Sequence, residues 1–294
     1  MEVNCEGCAG CCLDWRPLDA PGDREREGRY RALDDTYHLV PLSREGIRGF
    51  LDDGLGDALV PRLFASDGAR TVELDGHRVA AIDGRPAFLV GLRKTPKPVA
   101  PFGGDRVWLD ACAFLDPDTL RCRVHDTERY PDRCRTYPGH NLELDAETEC
   151  ERVERVHGAP GDRLRDDAVP GDLPPPPLGR GALGSTVFLH PDPDALDGTV
   201  ARLVAGESTR EDRATFVASA AASAPGTGEV NAERFERERE RALAADSWVG
   251  AADAAWRAVA DERGSRVDDD ATPAAATVET DRGAPPTGPW GGGE

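Results

Sequence analysis

Alternating apolar and polar residues predict a small antiparallel sheet in the first third of the chain. Three such segments follow one another from Thr71: TVEL, HRVAAI and RPAFLVGL. Alternation of this kind is typical of strands with one buried face. The pairs Asp75-Gly76 and Asp83-Gly84 separate the segments, and Asp-Gly pairs favour two-residue hairpin turns. We therefore expect a three-stranded meander, with further short strands at 37–42, 107–109 and 113–115.

Helical periodicity is found in one early segment and through the second half of the chain. Ser43 is placed to cap a helix whose apolar positions recur at helical spacing: Ile47, Phe50, Leu51 and Leu55. The pair Asp192-Pro193 is a second helix start, and it precedes a further apolar stripe: Leu196, Val200, Leu203 and Val204. Two more helices are predicted at 229–245 and 247–262.

These patterns together predict an α+β fold, in which a small antiparallel sheet with cysteine-rich metal-binding loops precedes a mostly helical C-terminal segment. The predicted divisions are a cysteine-cluster metal-binding domain at 1–157, a Pro/Gly-rich linker or loop at 158–182, a mostly helical segment at 183–263 and a tail at 264–294. The tail contains too few apolar residues to bury a core, so we expect it to be disordered.

The chain is acidic and almost free of lysine. Its 294 residues include 55 acidic and 36 basic ones, which gives a net charge of −19, and Lys94 and Lys97 are the only lysines. An acidic, lysine-poor surface is favoured in a cytosol of molar salt, where the Debye length shrinks to about 3 Å. We interpret the sequence as that of a halophilic archaeon, with an acidic mesophile protein as the alternative.

The same charge argues against a nucleic-acid partner, because phosphate binding needs a clustered basic surface. No apolar run approaches the roughly 20 residues that span a bilayer, so we expect no membrane segment. The N-terminus lacks the basic-then-apolar pattern of a secretory signal. The expected location is therefore the cytoplasm. A protein partner is compatible with the sequence, but the sequence identifies none, and it does not fix the oligomeric state.

Eight cysteines fall into two dense groups. The first group is the run C-x-x-C-x-x-C-C and the second lies within residues 112–150. Together they are the candidate metal ligands: Cys5, Cys8, Cys11, Cys12, Cys112, Cys122, Cys134 and Cys150. Thiols at this density, in a chain without a secretory signal, are typical of metal sites. The alternative is that they are buried or disulfide-linked, and the two groups could form one site or two.

The spacing of the first group is that of cubane ferredoxin motifs. The doublet Cys11-Cys12 favours a multinuclear cluster, or two sites that share this loop, because neighbouring side chains generally diverge and rarely bind one ion together. Eight thiols also divide into two Cys₄ zinc sites, although the second group lacks paired zinc knuckles. His125 or His140 could replace a thiolate. Nearby arginines, such as Arg123 and Arg133, would offset thiolate charge by hydrogen bonding to sulfur, or else form surface ion pairs.

Four ordered motif pieces resemble the YkgJ-type cysteine cluster family, which is described as a zinc- or iron-chelating domain related to flagellin lysine N-methylase. They are the N-terminal C-x-x-C-x-x-C-C, CAFL from Cys112, CRVH from Cys122 and PDRCRTYP from Pro131, and they lie within residues 3–140. The resemblance implies these ligands: Cys5, Cys8, Cys11, Cys12, Cys112, Cys122 and Cys134. Tyr130 interrupts the Arg-Pro pair usual in that family, and Cys150 lies outside its pattern.

Two other motifs are explained without a ligand. Residues 179–184 match the dinucleotide pattern G-x-G-x-x-G, but four prolines precede them where that pattern requires a strand, so we expect a flexible loop. His190, with Asp192 and Asp194, could bind a cation. Asp192 as a helix N-cap explains the same residues, and we favour that interpretation.

The leading hypothesis is a metal-binding protein that holds an iron–sulfur cluster, or another multi-thiolate iron or zinc site, through the two cysteine groups. Such a site would serve electron transfer or a modification reaction. The alternative is a zinc-stabilised protein-interaction module without a redox or catalytic role. By analogy with the flagellin enzyme, methyl transfer is a third interpretation, which requires S-adenosylmethionine. No Ser/His/Asp nucleophile arrangement, paired acid–base carboxylates or phosphate loop is recognisable, so no catalytic residue is predicted.

Overall fold

The structure, a computed structural model, describes residues 7–18, 31–157, 168–176, 178–263, 267 and 273–288. It confirms the predicted α+β fold, with antiparallel strands in the first part of the chain and a mostly helical C-terminal part. Among the described residues, no helix combines the length and the apolar composition needed to cross a bilayer.

The strands, in chain order, are β1 (Arg31–Ala32), β2 (Leu59–Ala65), β3 (Thr71–Leu74), β4 (His77–Ile82), β5 (Arg85–Leu92), β6 (Lys94–Val99), β7 (Val107–Cys112) and β8 (Phe188–Leu189). The helices are α1 (Arg44–Asp52), α2 (Asp132–Arg135), α3 (Gly139–Glu143), α4 (Glu149–His157), α5 (Thr199–Val204), α6 (Arg210–Ala222), α7 (Ala232–Ala244), α8 (Trp248–Arg263) and α9 (Ala275–Val278). Short 3₁₀ turns lie at Gly10–Cys12, Gly56–Ala58, Pro101–Gly103, Gly179–Gly181, Asp194–Leu196 and Thr280–Arg282.

The chain forms two compact units, each built from separate stretches of sequence. The cysteine unit comprises residues 1–25, 94–176 and 248–294, and the sheet unit comprises residues 26–93 and 177–247. These units differ from the predicted domains. The meander belongs with the helices of 183–247 rather than with the cysteines, whereas the last predicted helix belongs with the cysteines.

The sheet unit contains a six-stranded antiparallel sheet made of β1, β2, β3, β4, β5 and β8. β2 pairs with β5 from Leu59 opposite Leu92 to Leu63 opposite Phe88. β8 extends the sheet where Phe188 pairs with Phe88. The ring of Phe88 also lies 4.9 Å from that of Phe216 in α6, which places the core of this unit between the sheet and the helix.

The meander is confirmed at the predicted positions, because β3, β4 and β5 coincide with the three alternating segments. Both Asp-Gly pairs adopt positive φ angles, as a type I′ hairpin turn requires. The N-cap is also confirmed, since Ser43 Oγ accepts a hydrogen bond from the Gly46 amide at 3.2 Å. Helices α7 and α8 lie within one to three residues of their predicted ends.

The predicted strand at 37–42 is wrong. Its residues form no strand, and a single bridge joins Pro41 to Gly91. His38 has a φ of 49°, in the left-handed region, which interrupts an extended run. The segment instead lies close beside β5, since the Leu42 amide donates to the Val90 carbonyl at 2.8 Å and a Cβ at Gly91 would lie 2.4 Å from the Val40 carbonyl oxygen.

The cysteine unit contains a two-stranded ribbon, β6–β7, in which Lys94 pairs with Cys112 and Val99 with Val107. Helix α8 is tied to this ribbon, because Thr95 donates to Asp253 at 2.7 Å and is buried with it. The predicted strand at 107–109 therefore lies in β7. At 113–115 the structure has only a bridge between Leu115 and Cys122.

Residues 273–288 differ from the predicted disordered tail. They contain α9 and the following 3₁₀ turn, and Ala275 and Val278 pack against Trp256 in a buried apolar cluster. Few apolar side chains suffice here because the segment packs against an existing core rather than forming its own. The other residues of the predicted tail, apart from 267, lie outside the described residues, as do 158–167 of the predicted linker.

His190, weighed above as a cation ligand, is a buried side chain of the sheet unit, only 1% exposed. Its Nδ1 lies 2.7 Å from the carbonyl oxygen of Asp192, and the Asp192 carboxylate accepts from the Asp194 amide at 3.0 Å. Within the described residues, His190 Nε2 has no hydrogen-bond partner. Burial lowers the pKa of His190 to about 4 from 6.5, because the charged ring would lose its hydration.

This shift predicts an acid-sensitive sheet unit. The unfolded chain protonates His190 near pH 6.5, whereas the folded chain protonates it only near pH 4. The free energy of unfolding therefore keeps its full value above pH 6.5 and decreases as the pH falls from 6.5 towards 4. The contribution is on the order of 3 kcal/mol. His190→Asn retains a donor for the Asp192 carbonyl, and we expect it to flatten the dependence of the unfolding free energy on pH in this window. The control is His77→Gln, on a hairpin of the same unit. An unchanged slope in His190→Asn would contradict the assignment.

Candidate metal centre

The first cysteine group lies on a tight loop that ends in a 3₁₀ turn, Gly10–Cys12. Gly7 has a φ of 70°, which fits the predicted turning role of a glycine. Gly10 serves the loop differently, because a Cβ there would lie 3.2 Å from the Cys8 sulfur. The Gly10 amide donates to Cys8 Sγ at 3.3 Å. The Sγ atoms of Cys11 and Cys12 are 4.0 Å apart. Cys5 lies outside the described residues.

The second group comes from four different places in the cysteine unit. Cys112 ends β7 and is buried, and Cys122 follows the turn that bridges back to Leu115. Cys134 lies in α2 and Cys150 in α4. Within the described residues, no disulfide bond joins these cysteines: Cys8, Cys11, Cys12, Cys112, Cys122, Cys134 and Cys150.

The thiols of both groups lie near enough to act on one another electrostatically, with Cys12 at the centre. Negative charge on Cys12 raises the pKa of other thiols in both groups: Cys8, Cys112, Cys122 and Cys134. Such mutual effects require groups that are close in the protein interior. Cys150 acts on Cys8 and on the Tyr137 hydroxyl. We call this set of seven the thiol cluster. The structure thus brings the two sequence groups to one place.

Burial keeps these thiols protonated in the absence of a ligand. Desolvation raises the pKa of Cys8 to about 12 and also raises those of Cys112, Cys122 and Cys134. The pKa of Cys12 is raised first by its hydrogen bond with Cys11 and then by burial. A thiophilic metal ion would replace these protons, and its binding would therefore release protons.

The only two lysines of the chain lie beside the thiol cluster, and both are buried. Lys94 Nζ donates to the carbonyl of Cys12 at 2.6 Å. The ammonium groups of Lys94 and Lys97 both lower the pKa of Cys12 and of Cys112. Buried positive charge at this point favours the thiolate forms that metals bind.

Lys97 uses its three N–H donors fully. It donates to the carbonyl oxygens of Ala113 at 2.9 Å and Leu115 at 2.6 Å, and its third partner is the Glu279 carboxylate at 2.6 Å. An ammonium group has exactly three donors arranged around one nitrogen, whereas a guanidinium is a planar fork. This geometry accounts for a lysine here in a chain that otherwise uses arginine.

The contacts given for Arg123 and Arg133 are with carboxylates and a histidine rather than with sulfur. Arg123 pairs with Asp116 at 2.7 Å and with Glu279 at 2.8 Å. Arg133 lies 3.3 Å from His140 Nδ1. The ion-pairing alternative therefore describes Arg123, although its pairs are buried rather than exposed.

Contacts at both ring nitrogens argue against His140 as a metal ligand but not against His125, because a metal-binding histidine commonly contacts a carboxylate through its other nitrogen. His140 has both ring nitrogens engaged, since Nε2 lies 2.7 Å from the Pro174 carbonyl in addition to the Arg133 contact. His125 lies 2.8 Å from the Asp126 carboxylate and packs on the ring of Tyr130. Tyr130 itself borders the thiol cluster, because burial and then the charge of Cys134 raise its pKa.

The donor chemistry of the cluster suits iron or zinc better than a hard cation, because its donors are thiols rather than carboxylates. In the part of the chain that the structure describes, no three His, Cys, Asp or Glu side chains already stand as a group that could hold a metal ion. The thiols are thus gathered within electrostatic range but not at ligand spacing.

Sequence reasoning assigned no role at the site to Lys94, Lys97 or Glu279. The lysines had a signal, namely their rarity in an arginine-rich chain. Glu279 had none, because it is one of 55 acidic residues and falls in the segment predicted to be disordered.

The donor geometry at Lys97 predicts that arginine cannot replace it. Lys97→Arg would leave at least one buried carbonyl of Ala113 or Leu115 unpaired and overfill the site, so we expect a loss of about 2–3 kcal/mol in the free energy of unfolding. Chemical denaturation measures this. The control is Arg155→Lys, whose side chain is 55% exposed and should change stability by less than about 0.5 kcal/mol. Equal stabilities in the two variants would show that the three-donor geometry is unimportant.

Comparison with known proteins gives a family without a described activity. Searches of curated proteins and of solved structures returned no match. They leave the resemblance to the YkgJ-type family a prediction. One family model matches residues 1–291, nearly the whole chain, and it is described as a family of unknown function (DUF7531). The chain belongs to this DUF7531 family.

Proposed function

We propose that this protein binds a metal through the thiol cluster, as an iron–sulfur cluster or another multi-thiolate iron site. One observation carries the proposal: thiols from distant parts of the chain lie within electrostatic range of Cys12, beside two buried lysines. A purely apolar packing role for these cysteines would not require buried ammonium groups next to them. Both ammonium groups lower the pKa of Cys12 and of Cys112, which favours the thiolate forms at these two positions.

The candidate ligands are the thiol cluster together with Cys5. When bound, an iron–sulfur group supplies one-electron transfer, which is the chemistry that electron transfer or an associated modification reaction requires. The residues of the chain supply the rest. The thiols provide the donors, Lys94 fixes the loop that carries Cys12, and Lys97 fixes the turn that follows Cys112. We place the protein in the cytoplasm, where reducing conditions keep thiols available for metal.

The first test is the metal content of the full chain, purified anaerobically in high salt. We expect a coloured protein with nearly equal iron and acid-labile sulfide, measured by visible absorption and elemental analysis. A colourless protein that holds zinc would overturn the iron proposal and favour the zinc-stabilised interaction module. A protein without bound metal, with its thiols oxidised to disulfides, would overturn metal binding itself.

The position of Cys12 predicts a graded response to serine substitution. Cys12→Ser removes the thiol that interacts with both groups, and we expect it to abolish metal retention during purification. Cys150→Ser is the matched comparison, because Cys150 acts on Cys8, whereas Cys12 acts on thiols of both groups. It should retain more metal than Cys12→Ser. The reverse order would contradict the central place of Cys12. Metal content per chain, with circular dichroism to verify folding, measures both variants.

A further inference from the structure

Residues 273–288, which we call the C-terminal strap, are anchored on both sides of Cys122. Near its start, the Ala275 amide donates to Asp118 at 2.9 Å. Near its end, the Pro285 carbonyl accepts from Arg123 at 2.7 Å. Asp118 lies on the loop between Cys112 and Cys122, and Arg123 directly follows that loop. The strap is therefore fixed at two points next to candidate ligands.

Between these anchors, the strap places one fully buried carboxylate, that of Glu279, at 0% exposure. Its Oε1 lies 2.6 Å from Lys97 Nζ and accepts from Trp256 Nε1 at 2.9 Å. Its Oε2 accepts from Arg123 Nε at 2.8 Å. Arg123 also pairs with Asp116, so two cations and two carboxylates balance in this buried network. A buried charge with such complete pairing is costly to disturb, because each partner depends on the others.

The two cations that pair with Glu279 both contribute hydrogen bonds to turns that carry a cysteine. Lys97 donates to the carbonyls of Ala113 and Leu115, directly after Cys112. Arg123 directly follows Cys122, and its amide donates to the Phe114 carbonyl at 2.8 Å. The Glu279 carboxylate, which is more than 150 residues from Arg123 in sequence, thus connects Lys97 and Arg123, the two cations next to Cys112 and Cys122.

We propose that Glu279 is a positioning residue for the thiol cluster: through Lys97 and Arg123 it holds Cys112 and Cys122 in place, and the C-terminal strap delivers it. The predicted change in metal retention rests on the proposed function, whereas the predicted change in the reactivity of Cys112 and Cys122 does not. Residues that orient metal ligands from behind commonly change metal affinity by about 10- to 100-fold when altered.

The test compares Glu279→Gln with the unmodified full chain, in two measurements. The first is the alkylation rate of each cysteine in the metal-free protein, resolved by peptide mass spectrometry. We expect Cys112 and Cys122 to react faster, while Cys8 and Cys150 keep their rates. The second is the loss of bound iron or zinc to a chelator, which we expect to be about 10- to 100-fold faster in the variant.

The matched control is Asp281→Asn. This change removes the same charge from an exposed carboxylate of the strap itself, two residues after Glu279. We expect its alkylation pattern and metal loss to match those of the unmodified chain. If Glu279→Gln behaves like Asp281→Asn, or if every thiol of Glu279→Gln reacts faster to the same degree, the positioning role is overturned.

A third variant covers the case in which Glu279→Gln does not fold. Glu279→Asp keeps the charge but shortens its reach, and it should alter the reactivity of Cys112 and Cys122 alone. No selective change in Glu279→Asp would overturn the proposal. The two hypotheses also fail separately. If the unmodified chain binds no metal but Glu279→Gln still exposes these two thiols selectively, the proposed function is wrong and the positioning role stands.

Discussion

The ammonium groups of Lys94 and Lys97 connect parts of the cysteine unit that lie far apart in the chain. Both lysines sit on β6, and one reaches the N-terminal loop at Cys12 while the other reaches Glu279 in the C-terminal strap. Lys97 also holds the turn after Cys112. Because buried ammonium groups are costly without full pairing, these contacts have to form together. The three sequence stretches of the unit are thereby held in a fixed arrangement around the thiols.

The same charges explain how so many thiols can be gathered in an acidic protein. Each thiolate raises the pKa of its neighbours, and burial acts in the same direction, so the metal-free cluster is held in its protonated form. The lysines oppose this effect at Cys12 and Cys112, where the two cysteine groups meet. A bound cation would add to their effect. The thiols therefore stay protonated when no metal is bound. The fixed charges of the lysines favour loss of these protons when a metal binds.

Sequence patterns predicted the parts of the fold that follow local rules. The meander and the α1 N-cap depend on alternation, Asp-Gly turns and a capping serine, all visible in a few consecutive residues. Helix α6 was not predicted, because it is buried on nearly every side and shows no polar face. Strand β6 was missed because Pro96 and Pro98 argue against a strand. In the structure β6 pairs only with β7, and a strand with one unpaired edge tolerates proline. The strap was missed because its order depends on a distant core.

For the candidate site, the sequence predicted the donors but not what surrounds them. Cysteine spacing is a local signal, whereas the partners of Lys97 come from two other parts of the chain and become neighbours only on folding. The lysines nevertheless carried information. A chain that uses arginine for every other basic residue keeps lysine at two buried positions, and at Lys97 the pattern of three acceptors around one nitrogen shows why. In a strongly biased composition, the exceptions indicate where geometry, rather than charge alone, determines the residue.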